Sequence, residues 1–392
     1  MVSYKNARIF LEDRGFVSGG FEMENGVFTR VYTQEELLAD IRDHSEAKPF
    51  SEKIEVDLQG KYVIPGLIDI HIHGAVGADF SDGDEDGLLR MGRYLAGHGI
   101  TGFAPTSMTL PYAALEKAFA AGLKVKKQEP FGCARVLGIH MEGPFFSEKK
   151  KGAQNAAYLR KPDIQFFYDL YERCEGLIKI VDIAAELEGA VPFTKAAGSC
   201  CTVSIAHSDA GYEAAKAVYE AGARHLTHLF NAMPPIHHRN PGVIGAASEN
   251  EAVVAELICD GIHVHPSAVR LAFKMFPGRL CLISDALRCL GMPDGSYILG
   301  GQSVNLKDHI ARLSDGTIAG AASDLYDDMR NAVAFGIDKS EAIRAATILP
   351  AKEIGADQEA GSITAGKRAD FVVCREDLTR ERVFLGGTEV TE

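Results

Sequence analysis

Residues 62–74 read YVIPGLIDIHIHG, an apolar run that ends in two histidines one residue apart. Here the pattern changes from short β segments and turns to continuous apolar runs that end in polar residues, several of them followed by amphipathic helical stretches. Continuous apolar strands are buried on both faces, which is typical of parallel strands joined by helical crossovers. Eight such runs follow one another, at residues 63–70, 100–106, 134–140, 177–183, 201–206, 223–227, 252–259 and 279–284.

These eight runs predict the fold class. Eight strand–helix units in about 250 residues are typical of an α/β protein with a (β/α)8 TIM-like barrel, here expected over residues 63–358. The pattern is weakest between the sixth and seventh strands, because little helix separates them. Residues 291–320 are polar and glycine-rich and read as hairpins, and two further helical stretches follow them.

Both ends of the chain have a different pattern, with short β segments separated by turns. In the N-terminal part a helical stretch, EELLADIRDHSE at residues 35–46, interrupts them. This alternation favours a small sheet domain. We expect residues 1–62 and 359–392 to form one discontinuous β-sandwich domain beside the barrel.

Composition narrows the class of protein. The 392 residues carry 41 basic and 54 acidic side chains, a net charge of −13, which argues against nucleic acid or an anionic membrane as the main partner. The sequence has no apolar stretch of about 18 residues, as a membrane span needs, and its charged first residues are not expected to act as a signal peptide. The eight cysteines include no CxxC pair and are interpreted as reduced thiols of a cytoplasmic protein.

Imidazoles and carboxylates gather where the predicted strands end. A barrel enzyme carries its active site at the carboxyl ends of its strands, so these side chains are candidate ligands of a divalent metal. His71 and His73 project to the same face, because side chains on a strand alternate with a period of two. The strand-end residues are His71, His73, His140, Glu142, His207, His228, Asp260, His263 and Asp285.

Other histidines have a simpler interpretation. A lone histidine near a strand or helix is more often a hydrogen-bonded structural residue than a ligand. We apply that interpretation to His44, His98, His225, His237 and His309. His225 lies inside the sixth strand, three residues before His228, and is not expected to face the mouth of the barrel.

At this point the pattern resembles the amidohydrolase superfamily and, more narrowly, its N-acetylglucosamine-6-phosphate deacetylase family. HMEGPF, THLFNAM and DGIH in this order are specific to the deacetylase branch, whereas HxH and the strand-8 aspartate are shared by the whole superfamily. The resemblance spans residues 64–373. It is carried by PGLIDIHIHG, GIHMEGPFF, AHSDAG, THLFNAMPP, GVIGAA, CDGIHVHP, LISDA, TIAGAASDLYDDMRNAV and GKRADFVV.

The resemblance implies a metal-dependent deacetylase of amino-sugar catabolism, which releases acetate from N-acetylglucosamine 6-phosphate. Glu142, His207 and His228 would hold the first metal, and His71 and His73 a second one where it is present. Asp285 corresponds to the family's general base and acid. The metal would be Zn, Fe, Mn or Co, as one or two ions.

Substrate contacts are also carried over from the family's motifs. They are Ala153, Gln154, Asn231, Ala232, Arg239, Asp260, His263, Ile318, Ala319 and Gly320. Arg239 and His263 are expected to face the phosphate, and Arg239 can serve the site of a neighbouring subunit, so the resemblance implies a homodimer. Some family members have a histidine where this chain has Gln154, and glutamine cannot carry its charge.

Competing functions stay open. Many binuclear relatives use a carboxylated lysine at the end of strand 4, where this chain has none, because Lys179 lies inside that strand. This disfavours a cyclic amidase, and the HMEGP segment disfavours a deaminase. The remaining alternatives are a metal-free paralogue that keeps the barrel for protein contacts and a phosphosugar-binding sensor.

Overall fold

The computed structural model describes residues 1–43 and 54–391, with side chains left out at 40–43. His44 and the end of the predicted helical stretch 35–46 lie outside the described residues. The strands are β1 (Val2–Leu11), β2 (Gly15–Glu24), β3 (Val27–Thr33), β4 (Ile54–Asp57), β5 (Tyr62–Pro65), β6 (Leu67–Ile72), β7 (Gly74–Ala75), β8 (Ala78–Asp79), β9 (Ile100–Pro105), β10 (Arg135–Val136), β11 (Ile139–Met141), β12 (Ile178–Ile183), β13 (Thr202–Ile205), β14 (His225–Leu226), β15 (Val254–Ile258), β16 (Leu280–Ile283), β17 (Gly295–Leu299), β18 (Gln302–Lys307), β19 (Ile310–Leu313), β20 (Ile318–Gly320), β21 (Phe371–Cys374), β22 (Arg380–Leu385) and β23 (Thr388–Glu389).

Helices alternate with the strands through the middle of the chain. Aspartates cap several of them: Asp84, for example, accepts hydrogen bonds from the free backbone N–H groups of Asp86 and Gly87 at the start of a helix. The helices are α1 (Gln34–Asp43), α2 (Glu85–Gly97), α3 (Tyr112–Gln128), α4 (Ile164–Arg173), α5 (Ala190–Ala197), α6 (Tyr212–Glu220), α7 (Gly242–Glu249), α8 (Pro266–Met275), α9 (Leu325–Ala334), α10 (Lys339–Ala346) and α11 (Ile348–Glu353).

The middle of the chain forms a curled parallel sheet. It has two hydrogen-bonded parts, β6–β9–β10 and β11 to β16 in chain order. A parallel bridge between Thr106 and His140 joins the two parts. Beyond the far end of β16, the Asp285 N–H donates to the His71 carbonyl at 2.9 Å, so the last strand meets the first. Helices α2 to α8 lie between successive strands and bury apolar side chains in one large core cluster.

The strand at the start of this sheet differs from the prediction. The predicted strand 63–70 is two strands, because the chain crosses from one sheet to another at Gly66. β5 pairs with β1 and with β21 in the terminal sheet, whereas β6 begins the parallel sheet. Gly66 fits tightly at the crossing: a Cβ there would lie 2.2 Å from Thr101 Oγ1.

Both ends of the chain meet in one sheet of eight strands. Its order is β23–β22–β21–β5–β1–β2–β3, with β4 also paired to β1. An aromatic cluster fills its buried face, in which the rings of Phe371 and Phe384 stack with centroids 4.3 Å apart and Tyr4 stacks on Phe21 at 4.9 Å. This packing explains the alternation of aromatic and polar residues in the terminal segments.

A second, smaller sheet follows the parallel one. Strands β17 to β20 form an antiparallel sheet over the region predicted as hairpins, and the last of them brings Ile318–Gly320 back to the carboxyl ends of the parallel strands. Within the described part of the chain, no helix is both long and apolar enough to cross a membrane.

Candidate functional site

Six strand-end side chains converge at one edge of the curled sheet. His71 and His73 come from the end of β6, Glu142 follows β11, His207 follows β13, His228 follows β14 and Asp285 follows β16. Because the carboxyl ends of parallel strands lie at the same edge, residues distant in sequence become neighbours. All but His71 line a cavity of about 320 Å³, and His71 lies directly beneath it, fully buried.

Glu142 stands at the centre of the first group of donor atoms. Its Oε1 lies 2.9 Å from His207 Nε2 and 3.3 Å from His228 Nε2, and the two imidazole nitrogens are 3.2 Å apart. The ligand atoms of these three residues lie within 4.8 Å of one another, so together they could hold a metal ion.

A second group of donors lies beside the first. Asp285 Oδ1 lies 3.2 Å from His73 Nε2 and 3.5 Å from His71 Nε2. The other oxygen of Glu142, Oε2, lies 3.4 Å from His73 Nε2, so this carboxylate faces both groups. The donor atoms of His71, His73 and Asp285 are all within 4.8 Å of one another.

Three of the four histidine rings are oriented by an acceptor behind them. Nδ1 of His71 lies 2.8 Å from Glu256 Oε2, Nδ1 of His73 lies 3.1 Å from the Thr106 carbonyl, and Nδ1 of His207 lies 2.8 Å from the Lys150 carbonyl. An acceptor at Nδ1 holds the proton there and directs the Nε2 lone pair into the cavity. Nε2 of His71 has no hydrogen-bond partner among the described residues, as expected of an atom that binds an ion.

The backbone is unusual at three of these residues. His207, His228 and Asp285 have φ angles of 45°, 32° and 51°, in the left-handed region that residues other than glycine rarely adopt. Each lies within three residues of the end of a parallel strand, where the chain turns sharply and aims its side chain across the cavity. Such strain is concentrated at functional sites in proteins.

Neighbouring charges and hydrogen bonds shift the pKa values of several residues in this cluster. Burial by itself would raise the pKa of Glu142, but hydrogen bonds from His207 and His228 hold its pKa well below the ordinary value. Burial opposes the charged form of His228, yet contact with Glu142 raises its pKa to about 9. The pKa of Asp285 is lowered in spite of burial, because the charge of His71 and a hydrogen bond to His73 favour the carboxylate.

A second polar layer lies beneath the cavity. His140 Nε2 is 3.0 Å from Asp182 Oδ1, and His71 binds Glu256, all of them fully buried. His225 lies in this layer too, below the cavity, and its Nδ1 is 3.1 Å from Ser204 Oγ. Glu256 and Asp182 were not predicted as site residues, although each is a charged residue inside an apolar strand, which is the signal that marks them.

Most of the predicted substrate-contact residues line the same cavity. Gln154 is held by two contacts: its Oε1 accepts from the Thr109 N–H at 2.7 Å, and its Nε2 donates to Glu142 Oε2 at 2.6 Å. Lys149 and Lys150 also line the cavity and were not predicted. The predicted residues found there are Ala153, Gln154, Asn231, Ala232, His263, Ile318, Ala319 and Gly320.

Two predicted contacts lie elsewhere in the single chain. Asp260 does not line the cavity but binds His263, whose Nδ1 lies 2.6 Å from Asp260 Oδ2. Arg239 is exposed on the loop after β14 and its Nη1 lies 2.7 Å from His238 Nε2. Lys179 also points away, since its Nζ donates to the Gly176 carbonyl at 3.2 Å.

Comparisons with known proteins identify the family of this chain. The model of the amidohydrolase family matches residues 62–390. N-acetylglucosamine-6-phosphate deacetylase of Bacillus subtilis (strain 168) is 35% identical over 374 residues, which is 94% of this chain and 93% of that protein. N-acetylgalactosamine-6-phosphate deacetylase of Escherichia coli O157:H7 is 33% identical over 325 residues, 82% of this chain and 86% of that protein.

Two solved deacetylase structures also superpose on this chain over nearly its whole length. A mutant of N-acetyl-D-glucosamine-6-phosphate deacetylase from Mycobacterium smegmatis, in complex with N-acetyl-D-glucosamine-6-phosphate, superposes with a TM-score of 0.89 at 29% identity, covering 100% of this chain and 99% of that one. N-acetylglucosamine-6-phosphate deacetylase from Pasteurella multocida superposes with a TM-score of 0.88 at 28% identity, covering 100% of both chains. The chain therefore belongs to the amidohydrolase family, in its N-acetylglucosamine-6-phosphate deacetylase branch.

Proposed function

We propose that this protein hydrolyses the acetamide of N-acetylglucosamine 6-phosphate to glucosamine 6-phosphate and acetate, as a step of amino-sugar catabolism. The observation that carries the proposal is the arrangement of Glu142, His207 and His228 opposite Asp285 in one cavity. Relatives named for this activity, at 35% identity over nearly the whole chain, support it.

Glu142, His207 and His228 would hold the first divalent ion, and His71 and His73, with Asp285, a second. Their imidazole and carboxylate donors suit Zn, Fe, Mn or Co, as one or two ions. A bound ion would supply Lewis acidity, which makes water more acidic and polarises the acetyl carbonyl.

Asp285 moves the proton in this proposal. Its lowered pKa keeps the carboxylate ionised at neutral pH, so it can accept a proton from the attacking water. The C–N bond then breaks, and the same carboxyl group returns the proton to the departing amine. Only 13% of the Asp285 side chain is exposed, which limits competition from bulk water.

His263 and Arg239 would recognise the phosphate. Asp260 Oδ2 lies 2.6 Å from Nδ1 of His263 and orients this ring at the cavity that His263 lines. Arg239 would reach the cavity of a second copy in a homodimer. Its loop carries Ile236, which is 51% exposed, and a buried interface would cover that side chain.

We propose a matching architecture and location. The parallel strands would close into a (β/α)8 barrel over residues 63–358, except that β5 belongs to the terminal sheet. Residues 1–62 and 359–392 would fold with β5 as a β-sandwich. The hydrogen bond from Asp285 to His71 supports the closure of the barrel. The eight cysteines are all free thiols, which supports a reducing, cytoplasmic location.

Acetate release combined with elemental analysis tests the proposal. The purified, metal-replete protein should release acetate from N-acetylglucosamine 6-phosphate, and N-acetylgalactosamine 6-phosphate in parallel would measure the sugar preference. Absence of acetate from metal-replete protein would exclude the deacetylase. Absence of bound metal would instead favour a non-catalytic paralogue.

A further inference from the structure

Glu256 is a carboxylate in an unexpected position. It lies in the middle of β15, in the sequence VAELI, and is fully buried. Burying a carboxylate is unfavourable unless the group is paired and hydrogen-bonded. The partners of Glu256 therefore indicate what it contributes to this molecule.

One oxygen of Glu256 contacts one residue from each of the two groups. Oε2 lies 2.8 Å from Nδ1 of His71 and also accepts a hydrogen bond from the backbone N–H of His228 at 3.2 Å. His71 belongs to the second group and His228 to the first. Glu256 itself lines no part of the cavity, so it acts on these residues from beneath.

Each contact has a defined effect. An acceptor at Nδ1 fixes the tautomer of His71 with its Nε2 lone pair directed at Asp285 and Glu142, and a carboxylate at that position also raises the basicity of the ring. The hydrogen bond to His228 supports a backbone with φ 32°, which is unfavourable for histidine by itself.

We propose that Glu256 is a positioning residue that makes the second ion site competent by fixing His71, and that links this site to the first through His228. The inference rests on the proposed metal-dependent function. The two contacts of Glu256 differ in kind. Glu256 binds the side chain of His71 but only the backbone of His228. Loss of the carboxylate should therefore weaken the second ion first.

Metal titration of the full chain tests this. Wild type, Glu256→Ala, Glu256→Gln and Asp182→Asn are stripped of metal and titrated with Co²⁺, with ion content and visible absorption as readouts. Asp182→Asn is the matched control, because Asp182 is equally buried in the same layer but binds His140 and Thr227, which do not belong to the two groups proposed to hold the ions. Wild type should bind two ions per chain.

We expect the three variants to differ in how tightly they bind the second ion. Glu256→Ala should keep the first ion and bind the second roughly 10- to 100-fold more weakly, the usual effect of removing such a partner. Glu256→Gln keeps an acceptor oxygen but no charge, so we expect a smaller loss of severalfold. Asp182→Asn should bind both ions as the wild type does.

Several results would overturn the inference. These are a wild type that takes up only one ion at saturating Co²⁺, Glu256 variants that bind the second ion as tightly as the wild type, or an equal loss in Asp182→Asn. If Glu256→Ala fails to fold, the near-isosteric Glu256→Gln decides alone. Acetate release is assayed on the same wild-type preparation, so two bound ions without acetate would contradict the proposed function while leaving the result for Glu256 intact.

Discussion

Asp285 carries the proton transfer in the proposed reaction, and its replacement by asparagine is the sharpest test at the scale of a residue. Asparagine keeps the size of the side chain but accepts no proton, so Asp285→Asn should lower kcat about a hundredfold to ten-thousandfold. Steady-state kinetics with elemental analysis measure this. Near wild-type turnover with metal still bound would show that another group is the base.

Arg239 should act on substrate binding rather than on chemistry. Loss of a charged phosphate contact should raise KM for the phosphorylated sugar roughly 10- to 100-fold in Arg239→Ala, with kcat little changed. Arg330→Ala, on the exposed face of α9, is the control for loss of a surface arginine. An equal loss on unphosphorylated N-acetylglucosamine would contradict the phosphate role.

Glu353 should make stability depend on pH. Burial raises its pKa from 4.5 to about 7, so its contribution to stability is fully present below pH 4.5 and is lost as pH rises through about 7. Above that pH the folded protein must bury a charged carboxylate. Glu353→Gln removes the free-energy cost of this buried charge, which amounts to at most about 3 kcal/mol.

Thermal unfolding at two pH values measures the effect of Glu353. We expect Glu353→Gln to have a higher Tm than wild type at pH 8 and a similar Tm at pH 5. Glu376→Gln, on the exposed β21–β22 turn, should follow the wild type at both. A constant difference in Tm across this range would show that burial of the charge is not the cause.

Among individual residues, the sequence indicated the candidate ligands more readily than the buried residues that hold those ligands in place. His71, Glu142, His207 and His228 were chosen as candidates because each lies at the end of a strand or just after it, and strand ends meet. Glu256 was missed because it lies within a strand, and only its three-dimensional neighbours reveal its partners. Arg239 was assigned from a motif, and no contact in the single chain tests that role.

The element that sequence reasoning identified least well is α7. Its sequence GVIGAASE buries six consecutive residues, so it has no polar face and no helical periodicity to detect. The division of 63–70 into β5 and β6 was missed for a related reason, because both pieces are apolar and buried. Amphipathic helices such as α2 and α8 were clear in the sequence because one side of each faces water.

Strand β20 should be sensitive to a single methyl group. A Cβ on Gly320 would lie 2.8 Å from Leu287 Cδ2 and 3.0 Å from the Asp285 carbonyl, at a φ of 152°. Gly320→Ala should therefore lower stability by about 1–3 kcal/mol and reduce kcat by displacing Asp285. Chemical denaturation and kinetics check both effects.

Gly316, in the turn between β19 and β20, provides the matched control for Gly320. It also has a positive φ, of 89°, but a Cβ there would meet no atom within 4 Å. Gly316→Ala should thus lose some stability through strain and keep its kcat. If both variants lost kcat equally, backbone strain rather than contact with Asp285 would be the cause.

For the molecule as a whole, the terminal sheet joins the two ends of the chain. Phe371 stacks on Phe384 and contacts Tyr4 and Phe21 across residues far apart in sequence. Phe371→Ala should lower the free energy of unfolding by about 3–5 kcal/mol. Since this cluster is separate from the core around the parallel sheet, kcat at a permissive temperature should be unchanged.

Phe131→Ala is the control for Phe371→Ala, because Phe131 is 81% exposed and its loss should leave stability unchanged. A large fall in kcat of folded Phe371→Ala would show that the terminal sheet supports the site directly. At this scale the sequence predicted a sheet shared by both ends, but not its strand order, because pairing between distant strands leaves no local pattern.

The left-handed turns at His207, His228 and Asp285 have a consequence for attempts to redesign this cavity. In a saturation library at these positions, β-branched residues such as valine and isoleucine would be eliminated by the backbone before their chemistry was ever sampled. Glycine and asparagine would be recovered as folded but inactive clones. Selection for solubility and selection for activity would therefore enrich different residues at the same three positions, and new chemistry is better introduced by grafting whole turns.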